Sequence, residues 1–143
     1  MGAVSTIERV SLPTVPTPPA TGLYTAIGGE PTFRRIVGCF FEQVAHDPVL
    51  RAVYTDADLG PAEQRLRLFL MQYWGGPTTY SDARGHPRLR MRHVPFAIGP
   101  RECDAWLRAM RVAVGEAGLA ESHREQLWDY LESTATALIN RRE

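Results

Sequence analysis

The sequence contains no lysine, and all 16 of its Lys+Arg residues are arginine. A lysine Schiff base and a P-loop lysine are therefore excluded. Cysteine is scarce. Cys39 and Cys103 are the 2 present, too few for a disulfide framework or a four-thiolate metal site, and no Cys-x-x-Cys pair occurs. They read as reduced, buried thiols. Charge of one sign is also missing. Sixteen basic residues meet 16 acidic ones, for a formal net charge of +0. A bulk nucleic-acid binder normally shows a basic excess, so none is expected here. No apolar run approaches the roughly 20 residues of a membrane span. The N-terminus lacks the apolar core of a secretory signal. Met1-Gly2-Ala3-Val4-Ser5-Thr6 fits the N-myristoylation pattern, but that pattern is short and common. A soluble, cytoplasmic protein without a membrane or nucleic-acid partner is the expectation.

What is present is a globular composition: 44% hydrophobic and 22% charged residues in 143 positions, the size of one domain. Residues 1–21 read as a proline-rich flexible extension, because Pro13, Pro16, Pro18 and Pro19 interrupt any helix. Residues 22–143 read as the folded domain. Pro31 suits a first helical position, and Phe33, Ile36, Val37, Phe40, Phe41 and Val44 follow as one apolar stripe. Asp47-Pro48 caps a short helix through Val53. Gly60-Pro61 opens a helix with Ala62, Leu66, Phe69, Leu70 and Tyr73 on its face, and Gly75-Gly76-Pro77 stops it. Residues 77–86 read as a loop. A short helix follows Pro87, and a long one runs from Pro100 to Gly118. Ser122-x-x-Glu125 reads as the capping box of the last helix, faced by Leu127, Leu131, Thr134 and Leu138. No segment alternates with strand period. The fold class is all-α.

Four histidines are candidates for chemistry: His46, His86, His93 and His123. None forms a zinc-protease spacing, and no nucleophile elbow or dinucleotide loop is present. His46 ends a helix, where it suits the dipole, and His123 lies among charged residues. His93 stands in Leu89-Arg90-Met91-Arg92-His93-Val94-Pro95-Phe96, with apolar neighbours and a proline behind it. On these residues alone it is either a hydrogen-bonded histidine or a metal ligand. One protein ligand suffices for haem iron, since the porphyrin supplies four. Arg84, Arg88, Arg90 and Arg92 form a basic run: a solvated loop, a nucleic-acid contact, or partners for propionates.

Several motifs then occur in order: Tyr24-x-x-x-Gly28-Gly29, Val44-Ala45-x-Asp47-x-Val49-Leu50, Tyr54, and Gln72-Tyr73-Trp74-Gly75-Gly76-Pro77. His86-Pro87-Arg88-Leu89-Arg90-Met91-Arg92-His93 and Asp104-Ala105-Trp106-Leu107 complete the set. With these motifs the chain resembles the group II truncated haemoglobins of the actinobacterial type, from about residue 23 to 140. The resemblance implies a globin-like, truncated two-over-two helical sandwich around one haem b (iron protoporphyrin IX). It places His93 at the proximal iron ligand and leaves His86 outside that position. Arg65, Arg92 and Tyr80 fall at propionate contacts. Leu66, Phe69, Leu89, Phe96 and Ile98 fall at haem-packing positions. The distal pocket comprises Phe41, Tyr54, Ala62, Leu66 and Trp106. Ala62 stands where longer globins often carry a distal histidine. Phe41 departs from the family, which usually has tyrosine there. Trp106 and Tyr54 remain as donors toward a ligand.

The implied function is reversible binding of oxygen and other diatomic ligands. Two alternatives stand beside it. One is a haem enzyme oxidising nitric oxide or reducing peroxide, served by a reductase partner. The other is a haem-free helical interaction module. Family members include assemblies, so a homo-oligomer is compatible with the resemblance.

Overall fold

Apolar residues at helical spacing, punctuated by Gly-Pro and Asp-Pro pairs, set where the chain coils and where it turns. The computed structural model describes residues 22–141. The proline-rich extension over residues 1–21 and the myristoylation pattern at Gly2 lie outside the described residues. Eight helices and no strand are present among the described residues. They are α1 (Leu23–Ala26), α2 (Glu30–Ala45), α3 (Pro48–Val53), α4 (Gly60–Tyr73), α5 (Thr79–Arg84), α6 (Leu89–His93), α7 (Pro100–Glu116) and α8 (Glu121–Ala137).

Helices α2 and α4 pair as one layer, α7 and α8 as the other, and α2 lies against α7. This is the two-over-two sandwich expected. The stripe of α2 is buried along its whole length, from Phe33 to Val44. Helix α7 buries Ala105, Ala109 and Ala113 at four-residue spacing. Small side chains at that spacing permit the close approach of α2.

Local chemistry explains the helix ends. The Asp47 carboxylate accepts from the N–H groups of Val49 (2.9 Å) and Leu50 (3.2 Å), capping α3 as expected. Glu102 reaches back to accept from the Gly99 N–H at 2.9 Å, closing the start of α7. That bond holds the Glu102 carboxyl below its ordinary range. Gly76 is required by close approach. A Cβ there would sit 2.8 Å from both the Met71 carbonyl oxygen and the Tyr24 ring. Its turn is tied to α1 by Tyr24 N–H donating to the Trp74 carbonyl at 2.9 Å.

Four expectations are corrected. The stretch 77–86 is not all loop, since it holds α5. Helix α8 begins at Glu121, so Ser122 already lies inside it. No side chain caps that end, and the Ser122/Glu125 capping box is absent. Pro31 occupies the second position of α2 because Glu30 is already helical. Cys39 is half-buried beside Glu116 rather than buried, while Cys103 is buried.

Candidate functional site

Helix α6 differs from every long helix in the molecule. None of its residues is buried, and none of the principal helix–helix contacts involves it. Yet apolar side chains stand in it and just after it. Leu89 is half-buried, Met91 is 61% exposed, and Val94 just beyond is 71% exposed. The chain itself does not complete the packing of this segment.

The segment is positioned by polar bonds instead. Arg92 donates from Nε to the Pro87 carbonyl (2.6 Å) and from Nη2 to the carbonyls of Arg84 (2.8 Å) and His86 (3.4 Å). It thereby staples the turn ahead of its own helix. Arg88 in that turn has φ 45°, the one left-handed non-glycine residue among those described. L-residues reach this conformation at a cost, which the staple helps to offset.

His93 ends α6. Its Nδ1 lies 2.6 Å from the Leu89 carbonyl oxygen. A carbonyl only accepts, so Nδ1 carries the proton and donates. In neutral imidazole that leaves Nε2 as a lone-pair nitrogen, the tautomer a metal ligand requires. The two readings of His93 left open by its residue type are thus compatible: one ring nitrogen is hydrogen-bonded and the other is available. His86 is exposed; its carbonyl, not its ring, serves the Arg92 staple.

Opposite in chemistry is an aromatic cluster from α2, α7 and the end of α3. Phe41 meets Tyr54 edge-on at 5.3 Å between ring centroids, and Phe40 meets Trp106 at 5.2 Å. Trp106 Nε1 donates to the Tyr54 hydroxyl oxygen at 3.3 Å. The phenol keeps its own proton to donate elsewhere. Burial pushes the Tyr54 hydroxyl's ionisation up, partly opposed by the Trp106 bond and by the positive charge of Arg65. Phe41, Tyr54 and Trp106 are therefore brought together, as the resemblance implied. Ala62 and Leu66, on α4, are half-buried at the edge of the same core.

Tyr80 is buried, with Phe69 edge-on at 5.6 Å and the guanidinium groups of Arg84 and Arg92 each 5.8 Å from its ring. Gln72 secures this corner. Its Nε2 donates to Ser81 Oγ (2.7 Å), and its Oε1 accepts from the Ser81 N–H (2.9 Å). Arg65 is exposed on α4, Phe96 is 43% exposed with its ring 6.3 Å from that of His93, and Ile98 is half-buried.

These residues fit a haem. A nitrogen donor of the right tautomer is present. Leu66, Leu89 and Phe96, the expected packing residues, are incompletely covered by protein, and arginine stands at hand for carboxylates. Among the described residues no cluster of His, Cys, Asp and Glu suits a metal ion held by protein alone. No described helix is long and apolar enough to cross a membrane.

Two contributors escaped sequence reading. Gln72 was quoted only as part of a motif, and its bonds to Ser81 join α4 to α5. Asn140 was not singled out, although it bonds the segment after His93. Neither carries a local signal, since each acts across a turn or across the fold.

Comparison with known proteins agrees with this geometry. The model of the bacterial-like globin family matches residues 22–140. Group 2 truncated haemoglobin YjbI of Bacillus subtilis is 41% identical over 120 residues, covering 84% of this chain and 89% of that protein. The thermostable haemoglobin of Thermobifida fusca shares 58% identity with a TM-score of 0.84, covering 86% of this chain and 100% of that one. The group II truncated haemoglobin of Bacillus anthracis shares 34% identity with a TM-score of 0.82, covering 87% and 95%. The chain therefore belongs to the bacterial-like globin family, and within it to the group II truncated haemoglobins, whose cofactor is haem b.

Proposed function

We propose that this protein binds oxygen and similar diatomic ligands reversibly, with His93 as the protein ligand to haem iron. The observation that carries the reading is the Nδ1 bond of His93 to the Leu89 carbonyl, which leaves Nε2 as the donor atom. When bound, the haem supplies an iron centre with an open coordination position for the diatomic ligand. Everything else is work for side chains of this chain.

On the proximal side, the Leu89 carbonyl fixes the rotation of the imidazole and raises its basicity. Leu66, Phe69, Leu89, Phe96 and Ile98 exclude water from the macrocycle. Arg65 pairs with a propionate from α4. Arg92 spends Nε and Nη2 on backbone carbonyls, so it offers a propionate only Nη1. Tyr80 supports Arg92 through its ring.

On the distal side, Phe41, Ala62 and Leu66 contribute no hydrogen-bond donor. Tyr54 is the donor toward the ligand, and Trp106 orients it by occupying its oxygen. Ligands that accept a hydrogen bond are favoured over those that do not. One relative, from Bacillus subtilis, is described as oxygen-avid, which accords with a donor in this pocket.

An oxygen titration of the ferrous, haem-loaded protein tests the proposal. Saturable binding that reverses on deoxygenation is expected. Irreversible oxidation at the first exposure, with many turnovers of nitric oxide or peroxide when a reductant is supplied, would replace it with the enzyme reading.

A further inference from the structure

We propose that Asn140 is a positioning residue for the proximal histidine. The inference rests on the assignment of His93 as iron ligand. Asn140 follows α8, far from His93 in sequence, yet its side chain reaches the segment immediately after it. Nδ2 donates to the His93 carbonyl at 3.1 Å and to the Phe96 carbonyl at 2.9 Å. Oδ1 accepts from the Ile98 N–H at 2.9 Å. The Asn140 and Arg141 N–H groups both donate to the Ile98 carbonyl, at 2.7 and 3.0 Å. Both donors of one amide and its acceptor are thus spent on the six residues His93–Ile98.

Other parts of the chain pack little against this segment. Val94, Pro95, Phe96 and Ala97 are all exposed. An open cleft of about 340 Å³, lined by Val94, Pro95, Phe96, Ala97, Asn140 and Arg141, runs alongside. No residue of helix α6 is fully buried. Within the chain itself, the backbone of residue 93 is located by hydrogen bonds at both ends of α6. Arg92 holds the turn before the helix, and Asn140 holds the exit after it. The amide suits the task because it offers two donors and an acceptor together. Fixing the 93 carbonyl fixes the Cα from which the imidazole projects, and with it the distance and tilt available to Nε2.

The test compares Asn140→Ala and Asn140→Asp in the haem-loaded full chain. Aspartate keeps the acceptor for the Ile98 N–H but loses both donors and sets an anionic oxygen against two carbonyls. Three measurements are made: haemin transfer to an acceptor apoglobin, the iron–histidine stretching band of the ferrous protein, and far-ultraviolet circular dichroism. Both variants are expected to release haemin about tenfold faster, the scale of one net hydrogen bond. Both are expected to shift the iron–histidine band with helical content unchanged. Wild-type behaviour in Asn140→Asp would overturn the proposal, because anchoring through Ile98 alone would then suffice. Wild-type behaviour in both variants, or changes that track loss of helix, would overturn it too. Failure of the underlying ligand assignment looks different: His93→Gly would keep the native band whatever stands at position 140.

Discussion

Replacing Phe41 by tyrosine tests the proposed distal pocket at one atom. Phe41 is 5% exposed, and its ring lies edge-on to both Phe40 (5.0 Å) and Tyr54 (5.3 Å). The change adds a single hydroxyl to a ring already in place. Two opposed effects follow. With no diatomic ligand present, a buried hydroxyl lacking a partner costs about 1–3 kcal/mol. With an accepting ligand present, the new donor contributes about 0.5–1.5 kcal/mol, which is roughly a two- to tenfold slower dissociation. The assay is oxygen dissociation by stopped flow, paired with urea denaturation of the ligand-free protein. Slower release together with lower ligand-free stability is the expected pair. Release rates within twofold of the wild type would refute the reasoning, since the residue at 41 would then not face the ligand.

Other outcomes follow from the same coordinates. Trp106→Phe removes the donor that occupies the Tyr54 oxygen. At 3.3 Å the bond is long, so oxygen release should quicken by less than about tenfold; an unchanged rate argues against an orienting role. Gly76→Ala drives a methyl against the Met71 carbonyl and the Tyr24 ring, both 2.8 Å away, and should cost about 1–3 kcal/mol of stability in urea titration. The Glu102 carboxyl is lowered from its ordinary 4.5, first by the Gly99 N–H bond. A group lowered in the folded state adds stability above the ordinary value and loses it as pH falls through the lowered one. The advantage of the wild type over Glu102→Gln should therefore hold from neutral pH to about 4.5 and vanish on further acidification. A gap independent of pH would contradict this.

The four long helices were legible because each writes a continuous stripe, as α2 does from Phe33 to Val44. Their starts were legible where the signal is local, at Asp47-Pro48 and Gly60-Pro61. The capping box at Ser122 misled because Ser-x-x-Glu also occurs inside a helix, and nothing local shows that coiling has already begun at Glu121. Helix α5 escaped because its stability comes from Gln72, on another helix, and from the burial of Tyr80.

The site divides the same way. His93, Tyr54 and Trp106 were singled out as candidates through motifs, and the geometry adds how each is oriented: Nδ1 on Leu89, and the indole on the phenol. Asn140 could not be found, because an asparagine near the C-terminal end carries no signal until folding sets it against residue 93. The role of Arg92 in holding the turn was likewise hidden. Its carbonyl partners are backbone atoms, and backbone atoms leave no mark on sequence.

The most direct measurement is resonance Raman spectroscopy of the ferrous protein and its His93→Gly variant. The wild type should show an iron–histidine stretching band, the variant should lack it, and added imidazole should restore a similar band. A band that survives in His93→Gly, or one that disappears instead in His86→Gly, would contradict the account.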